Sequence, residues 1–196
     1  MKKILWFLIP LFAFANQAVF SLSWQKSFCK TTHKLECRYS NKYDYFTIHG
    51  LWPKKQNCKG IRHFRLDKPL YLEVRKYMPS KGLMYHEWQK HGSCYSKKPS
   101  KYFQDMIRLT KIINNSKIGE FFKKNQGKQI TKQALNRVIN KIYPKQANKF
   151  SLRCKKGYVV ELRMNLNGDM ANDDILSLLK SAKRVIGGCQ RGKIAK

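Results

Sequence analysis

Six cysteines, Cys29, Cys37, Cys58, Cys94, Cys154 and Cys189, constrain this chain more than any other feature of it. What they can do depends on the compartment, because thiols stay reduced in a cytosol and pair where conditions are oxidising. The first residues bear on that question. Lys2 and Lys3 precede an apolar run from Ile4 to Phe14, and Ala13-Phe14-Ala15 has the small-x-small pattern of a cleavage site, so 1–15 is expected to be a signal peptide cut after Ala15. As an anchor the run is too short, since crossing a bilayer takes about 20 apolar residues. No later stretch is apolar enough to span, so no stable membrane insertion is expected. In an exported protein, periplasmic or extracellular, an even cysteine set without a CxxC pair reads as a disulfide framework rather than a metal site. Sequence does not choose among the many pairings. The simplest joins Cys29 to Cys37, Cys58 to Cys94 and Cys154 to Cys189.

Residues 16–196 suffice for one domain with a real core, expected to be a monomer. With 41 Lys plus Arg against 11 Asp plus Glu, the formal net charge is +30. Such a chain attracts polyanions, and its binding should weaken steeply with salt. Charge defines a partner class and no activity, because anionic membranes and cell-wall polymers would be attracted as well as RNA or DNA.

Hydrophobic periodicity places the elements. Tyr43 to His49 alternates, which predicts a strand with His49 at its end and Pro53 as its stop. Lys68 to Tyr77, with Pro69 near its start, predicts a helix. A second, Leu83 to His91, would end at Gly92, and two more faces run from Tyr102 to Ile113 and from Leu135 to Ile142, the last with Thr131 as N-cap. From Tyr158 to Leu166, Tyr158, Val160, Leu162, Met164 and Leu166 alternate with Val159, Glu161, Arg163 and Asn165, a period of two that no helix explains. Strands and helices mix without regular alternation, so the expected class is α+β, an antiparallel sheet packed with several helices in one disulfide-stabilised domain.

Two segments concentrate the chemistry. In Phe46-Thr47-Ile48-His49-Gly50-Leu51-Trp52-Pro53 a histidine is followed by glycine, tryptophan and proline. Alone this is weak, since a single histidine is more often packed or solvated than catalytic, and Trp52 could be core or an exposed base-stacking ring. His86-Glu87-Trp88-Gln89-Lys90-His91-Gly92-Ser93-Cys94 is richer. At about 100° per residue, His86, Glu87, Lys90 and His91 share an arc of roughly 140°. That is more titratable chemistry on one face than solubility requires. The HExxH pattern of zinc proteases is excluded by spacing: His86 and His91 are five apart rather than four, and Lys90 would set a cation beside the metal. RNA cleavage fits better. RNA carries its own 2′-hydroxyl nucleophile, so a base, an acid and a cation for the phosphorane suffice, with no metal and no cofactor.

Together, HGLWP and HEWQKHGSC resemble the two active-site motifs of the ribonuclease T2 family, in the same order and at similar separation. Cys58, Cys94, Cys154, Cys189 and the Glu161-Leu162-Arg163 strand support the resemblance. It implies a bacterial, exported enzyme that cleaves single-stranded RNA through a 2′,3′-cyclic phosphate. His49 and His91 would be the acid–base pair, with His91 taking the 2′-hydroxyl proton and His49 serving the leaving group. Lys90 would offset phosphorane charge, and Glu87 would position the phosphate or a neighbouring histidine. His86 would bind phosphate and Trp52 would stack a base, while a Cys58–Cys94 bridge would tie the motifs together. Lys54-Lys55-Gln56 stands where some relatives carry an acidic base-binding residue, so base preference does not carry over. Tyr45, His63 and Phe64 are further base-site candidates, and His33 reads as a surface residue. The competing class is a cationic binding protein that retains the fold; a metal-dependent nuclease is a third.

Overall fold

The computed structural model describes residues 17–58 and 63–196; the expected leader, 1–15, lies outside them. The elements are β1 (Ala18–Trp24), α1 (Gln25–Cys29), β2 (Phe46–Pro53), α2 (Lys68–Tyr77), α3 (Lys81–Glu87), α4 (Ser93–Tyr95), α5 (Pro99–Asn114), α6 (Lys117–Lys124), β3 (Gln129–Thr131), α7 (Lys132–Ile142), β4 (Phe150–Lys155), β5 (Tyr158–Leu166), α8 (Ile175–Lys180) and β6 (Arg191–Lys193). Side chains cap the helices where the chain turns into them: Asp67, Ser80, Thr131 and Asp174 each accept a backbone N–H of the first turn. Such caps contribute about 1 kcal/mol apiece. The class is α+β, as expected. Neighbouring strands run β2-β1-β5, with β4 on the other edge of β5 and β6 and β3 continuing the sheet. All pairs are antiparallel except β5 with β6, whose single register pair, Tyr158 with Lys193, is parallel.

The sheet has two unlike faces. Phe20, Leu22, Ile48, Leu51, Leu162 and Met164 are buried on one of them, in a core shared with Tyr102, Phe103, Met106 and Ile113 of α5. Each such side chain contributes about 1.5–3 kcal/mol by leaving water. Helix α5 also grips β2 at two points. The Asn114 amide accepts from Phe46 N–H at 2.8 Å and donates to the Phe46 carbonyl at 3.0 Å. The buried Tyr102 hydroxyl donates to the Leu51 carbonyl at 3.0 Å. Between those grips lies His49.

Three expectations change. The strand around His49 begins at Phe46 and runs through Pro53, so His49 is internal to it; pairing with β1, which sequence reading did not place, carries the strand past the histidine. The helix from Lys81 does not end at Gly92. It widens into a π-helical turn over Trp88–Gly92 and resumes to Tyr95. Gly92 is helical, and a Cβ there would stand 2.4 Å from Trp88 and 2.8 Å from Tyr102, so close packing rather than a helix stop accounts for the glycine. Third, both Val159 and Val160 are buried, because the register with β4 shifts between Arg153 and Cys154. Disulfides join Cys29 to Cys37, Cys58 to Cys94 and Cys154 to Cys189.

Candidate active site

The polar face of the sheet is built by strand register. Ser21 pairs with Gly50 of β2 and Arg163 of β5, Ser23 with Thr47 and Glu161, and Val19 with Trp52 and Asn165. Leu22 pairs with Ile48 while Ser21 pairs with Gly50, which leaves His49 as the extra residue of a β-bulge. Bulges bend a strand and re-aim a side chain. Here the bulge sets His49, Gly50 and Trp52 on the polar face while keeping Ile48 and Leu51 in the core.

A buried carboxylate orients His49. Its Nδ1 lies 2.6 Å from Glu161 Oε1, and the other Glu161 oxygen accepts from Arg163 Nε at 2.7 Å and Ser21 Oγ at 3.2 Å. Burial would push the Glu161 carboxyl up, but the His49 hydrogen bond and the charges of His49 and Arg163 outweigh it and hold the group at about 2. Glu161 is therefore anionic under ordinary conditions and accepts the Nδ1 proton, which turns Nε2 outward. His49, His86 and Glu161 line one cleft of about 530 Å³.

His91 is treated in the opposite way. It comes from the π turn, is buried, and has no hydrogen-bond partner for Nδ1 among the described residues. Burial, reinforced by the charges of Lys90, His86 and His49, pushes it from 6.5 down to about 4. Its Nε2 stands 4.0 Å from Glu87 Oε2. Glu87 is itself buried and accepts from Trp52 Nε1 at 2.7 Å. Burial raises its carboxyl, against the Trp52 bond and the charges of His49 and Lys90. The carboxylate reaches this position because residue 50 is glycine: a Cβ there would lie 1.9 Å from Glu87 Oε2.

Trp52 is the hub. The His49 ring meets its indole edge-on at 5.1 Å, the His91 ring lies 5.7 Å from it, and the Arg163 guanidinium covers it at 4.8 Å. The indole thus contributes its N–H to Glu87 while protein groups crowd the ring. Lys90 is half-buried beside this group, and its carbonyl accepts from Asn57 N–H at 2.8 Å. The Cys58–Cys94 bridge fastens the same loop to the helix.

Of the sequence candidates, the fold gathers His49, Trp52, Glu87, Lys90 and His91 around one point and sets His86 on the cleft wall, exposed. Phe64 is instead core, packed on Trp88 and Phe103. Tyr45 bonds the Lys76 carbonyl of α2 at 3.3 Å and packs with Tyr43 and Tyr77. His63 and His33 are exposed and stand apart from the cluster. Sequence reading missed Glu161 and Arg163 as site residues. Their signal was present, as two opposite charges on the polar parity of the most regular strand.

Two imidazoles pack against one indole, each near a carboxylate and with cations close by. A model of the ribonuclease T2 family matches residues 15–176. Ribonuclease I of Escherichia coli is 27% identical over 206 positions, covering 80% of this chain and 77% of that protein. Ribonuclease Oy of Magallana gigas is 30% identical over 170 positions, covering 70% and 79%. Among solved structures, the self-incompatibility-associated SF11-RNase of Nicotiana alata superposes with a TM-score of 0.70 at 20% identity, covering 93% of this chain and all of that one. The chain belongs to the ribonuclease T2 family and is an RNA-cleaving endoribonuclease of that type.

Proposed function

We propose that the protein cleaves single-stranded RNA by transphosphorylation, with His91 as general base and His49 as general acid. The observation that carries this reading is the placement of both rings against Trp52, 5.1 and 5.7 Å from it, in opposite environments. Buried and held near 4, His91 is neutral at mildly acidic pH and can take a proton. His49, bonded to the Glu161 carboxylate through Nδ1, can deliver one from Nε2. The 2′-hydroxyl gives its proton to His91 as its oxygen bonds to phosphorus. The phosphorus–O5′ bond then breaks, and the departing oxygen takes the proton of His49, leaving a 2′,3′-cyclic phosphate.

Lys90 faces the negative charge that grows on the phosphorane oxygens, where a placed cation acts most strongly. Glu87, 4.0 Å from His91 Nε2, offsets the positive charge that His91 acquires. His86 contributes to phosphate binding from the cleft wall. Trp52 acts by holding Glu87 and spacing the two imidazoles. No step requires a metal. Export fits the three disulfides, and among the described residues no helix is long and apolar enough to cross a membrane. Mass analysis of products from a defined RNA in excess chelator tests the reading. A 2′,3′-cyclic phosphate as the early product is expected, with a single 2′-deoxy linkage resisting; cleavage at that linkage, or loss of activity to the chelator, would overturn it.

A further inference from the structure

Beyond the catalytic cluster the polar face continues into a second basic site. Asn165 follows Arg163 on the same parity of β5, and its Nδ2 donates to the carbonyls of Lys183 at 3.1 Å and Arg184 at 3.2 Å. Lys183 lines a hollow of about 260 Å³ that Trp52 also lines. The next residue, Arg184, lines another of about 380 Å³ with Lys132, Asn136, Asn140, Lys145 and Asn148. No carboxylate stands among its described lining residues.

This second hollow is built rather than merely basic. Lys132, Asn136 and Asn140 recur at the four-residue spacing of one helix face along α7. The opposite wall is pinned: Lys149 Nζ donates to the Ala182 carbonyl, Val185 N–H to the Asn148 carbonyl at 2.9 Å, and Lys132 N–H to the Gln190 carbonyl at 2.7 Å. Lys132 is half-buried with its Nζ on one carbonyl, that of Ala147 at 3.2 Å, and burial pushes its ammonium down to about 8. The Asn136 Oδ1 atom is buried without a hydrogen-bond partner among the described residues. With its amide turned over, Asn136 would add a donor to a site that already offers three cations. Residues 183–187 also lie past the family match, which ends at 176, so this wall is not supplied by the matched region.

We infer that the hollow between α7 and the 183–187 segment is a second phosphate site, which holds a backbone phosphodiester of the RNA strand several nucleotides from the bond being cut. The inference rests on RNA being the substrate. Its function would be to anchor long strands, with the hollow beside Trp52 and Lys183 between the two sites.

The test compares full-length wild type with the double variant Lys145→Ala/Arg184→Ala, using 2′-O-methyl RNA of about 3 and about 20 nucleotides and fluorescence anisotropy. Because these strands cannot be cleaved, the result is separate from whether the chain cuts RNA. Affinity for the long strand should fall about tenfold, and the slope of log Kd against log salt should shrink by about 0.7, the value for one phosphate no longer neutralised on a single strand. Affinity for the short strand and turnover of a dinucleotide should not move. The control Lys68→Ala/Lys180→Ala removes two exposed cations that line neither hollow. An equal loss in the control, or unchanged long-strand affinity in the double variant, overturns the inference. Inorganic phosphate provides the remaining arm, since it offers the same chemistry without a strand. Phosphate that shifts the Asn136 and Asn140 side-chain amide resonances, while the double variant keeps wild-type affinity for the long strand, would mark a free-anion site and overturn it too.

Discussion

The two histidines occupy opposite kinds of surroundings. His49 sits on the sheet with a carboxylate at 2.6 Å, whereas His91 sits in a wide helical turn where burial and neighbouring cations oppose its charge. The environment of His91 discourages an imidazolium. A fold can thus give two identical side chains different chemistry by how it surrounds them: Glu161 bonds His49 at 2.6 Å, while Glu87 stands 4.0 Å from a His91 that is otherwise buried.

The comparison breaks most decisively on the leaving group. Replacing either histidine with alanine should lower kcat on ordinary RNA by about 100- to 10,000-fold. An RNA whose scissile O5′ is replaced by sulfur leaves without a proton, so on that substrate His49→Ala should recover most of its loss and His91→Ala none. Recovery of His91→Ala instead would exchange the two roles.

Lys90 comes next. Lys90→Ala should cost about 100- to 1,000-fold in kcat with little change in KM, and Lys90→Arg should stay well below wild type because charge without the same donor geometry is a partial substitute. A normal kcat with a raised KM that high salt abolishes would return Lys90 to the general basic surface. Glu161→Gln should cost about 10- to 100-fold on ordinary RNA, the range for lost orienting partners of histidines. It should cost nothing further on the sulfur-leaving substrate. An equal loss on both substrates would make Glu161 a structural residue only.

The smallest effect sharpens the comparison through pH. Activity on the acid side should rise through about 4 as His91 loses its proton. The same group is a stability term: between 6.5 and 4 the unfolded chain binds a proton that the folded His91 refuses, so stability falls as pH falls across that window. Chemical denaturation should show wild type losing on the order of 3 kcal/mol more than His91→Gln there. Glu161 acts in the same direction at lower pH, since its pKa also lies below its ordinary value of 4.5; its contribution is present above 4.5 and is lost as pH falls toward 2. Parallel curves for wild type and His91→Gln would contradict the buried neutral base.

Much of this was legible in the residues. The α5 and α7 faces, the Thr131 cap and the bounds of β5 follow from periodicity, and two short motifs bring the candidate residues into view. What escaped depended on long-range pairing. Strand β1 has no clean alternation, because it is central and nearly all of it is buried. The bulge at His49 exists only in register against β1, so a strand ending at the histidine was the natural local reading. At Gly92 a helix-stop residue proved to be a packing residue, which only Trp88 and Tyr102 reveal. Glu161 and Arg163 looked like the polar side of a strand until the sheet placed His49 and Trp52 opposite them.

The extra residue in β2 also bears on how such a gene can change. Losing the codon for His49 would let Gly50 follow Ile48 in an unbroken ladder against Leu22 and Ser21, with Leu51 still facing inward and Trp52 outward. The deletion would mend the pairing and remove the proposed general acid. Point mutation is therefore not the only easy path to a silent descendant, and a lineage released from the need to cut RNA has a structurally favoured exit. Strand length, more than residue identity, would record that history: a copy whose motif is one residue short would be a better-paired sheet and a retired enzyme.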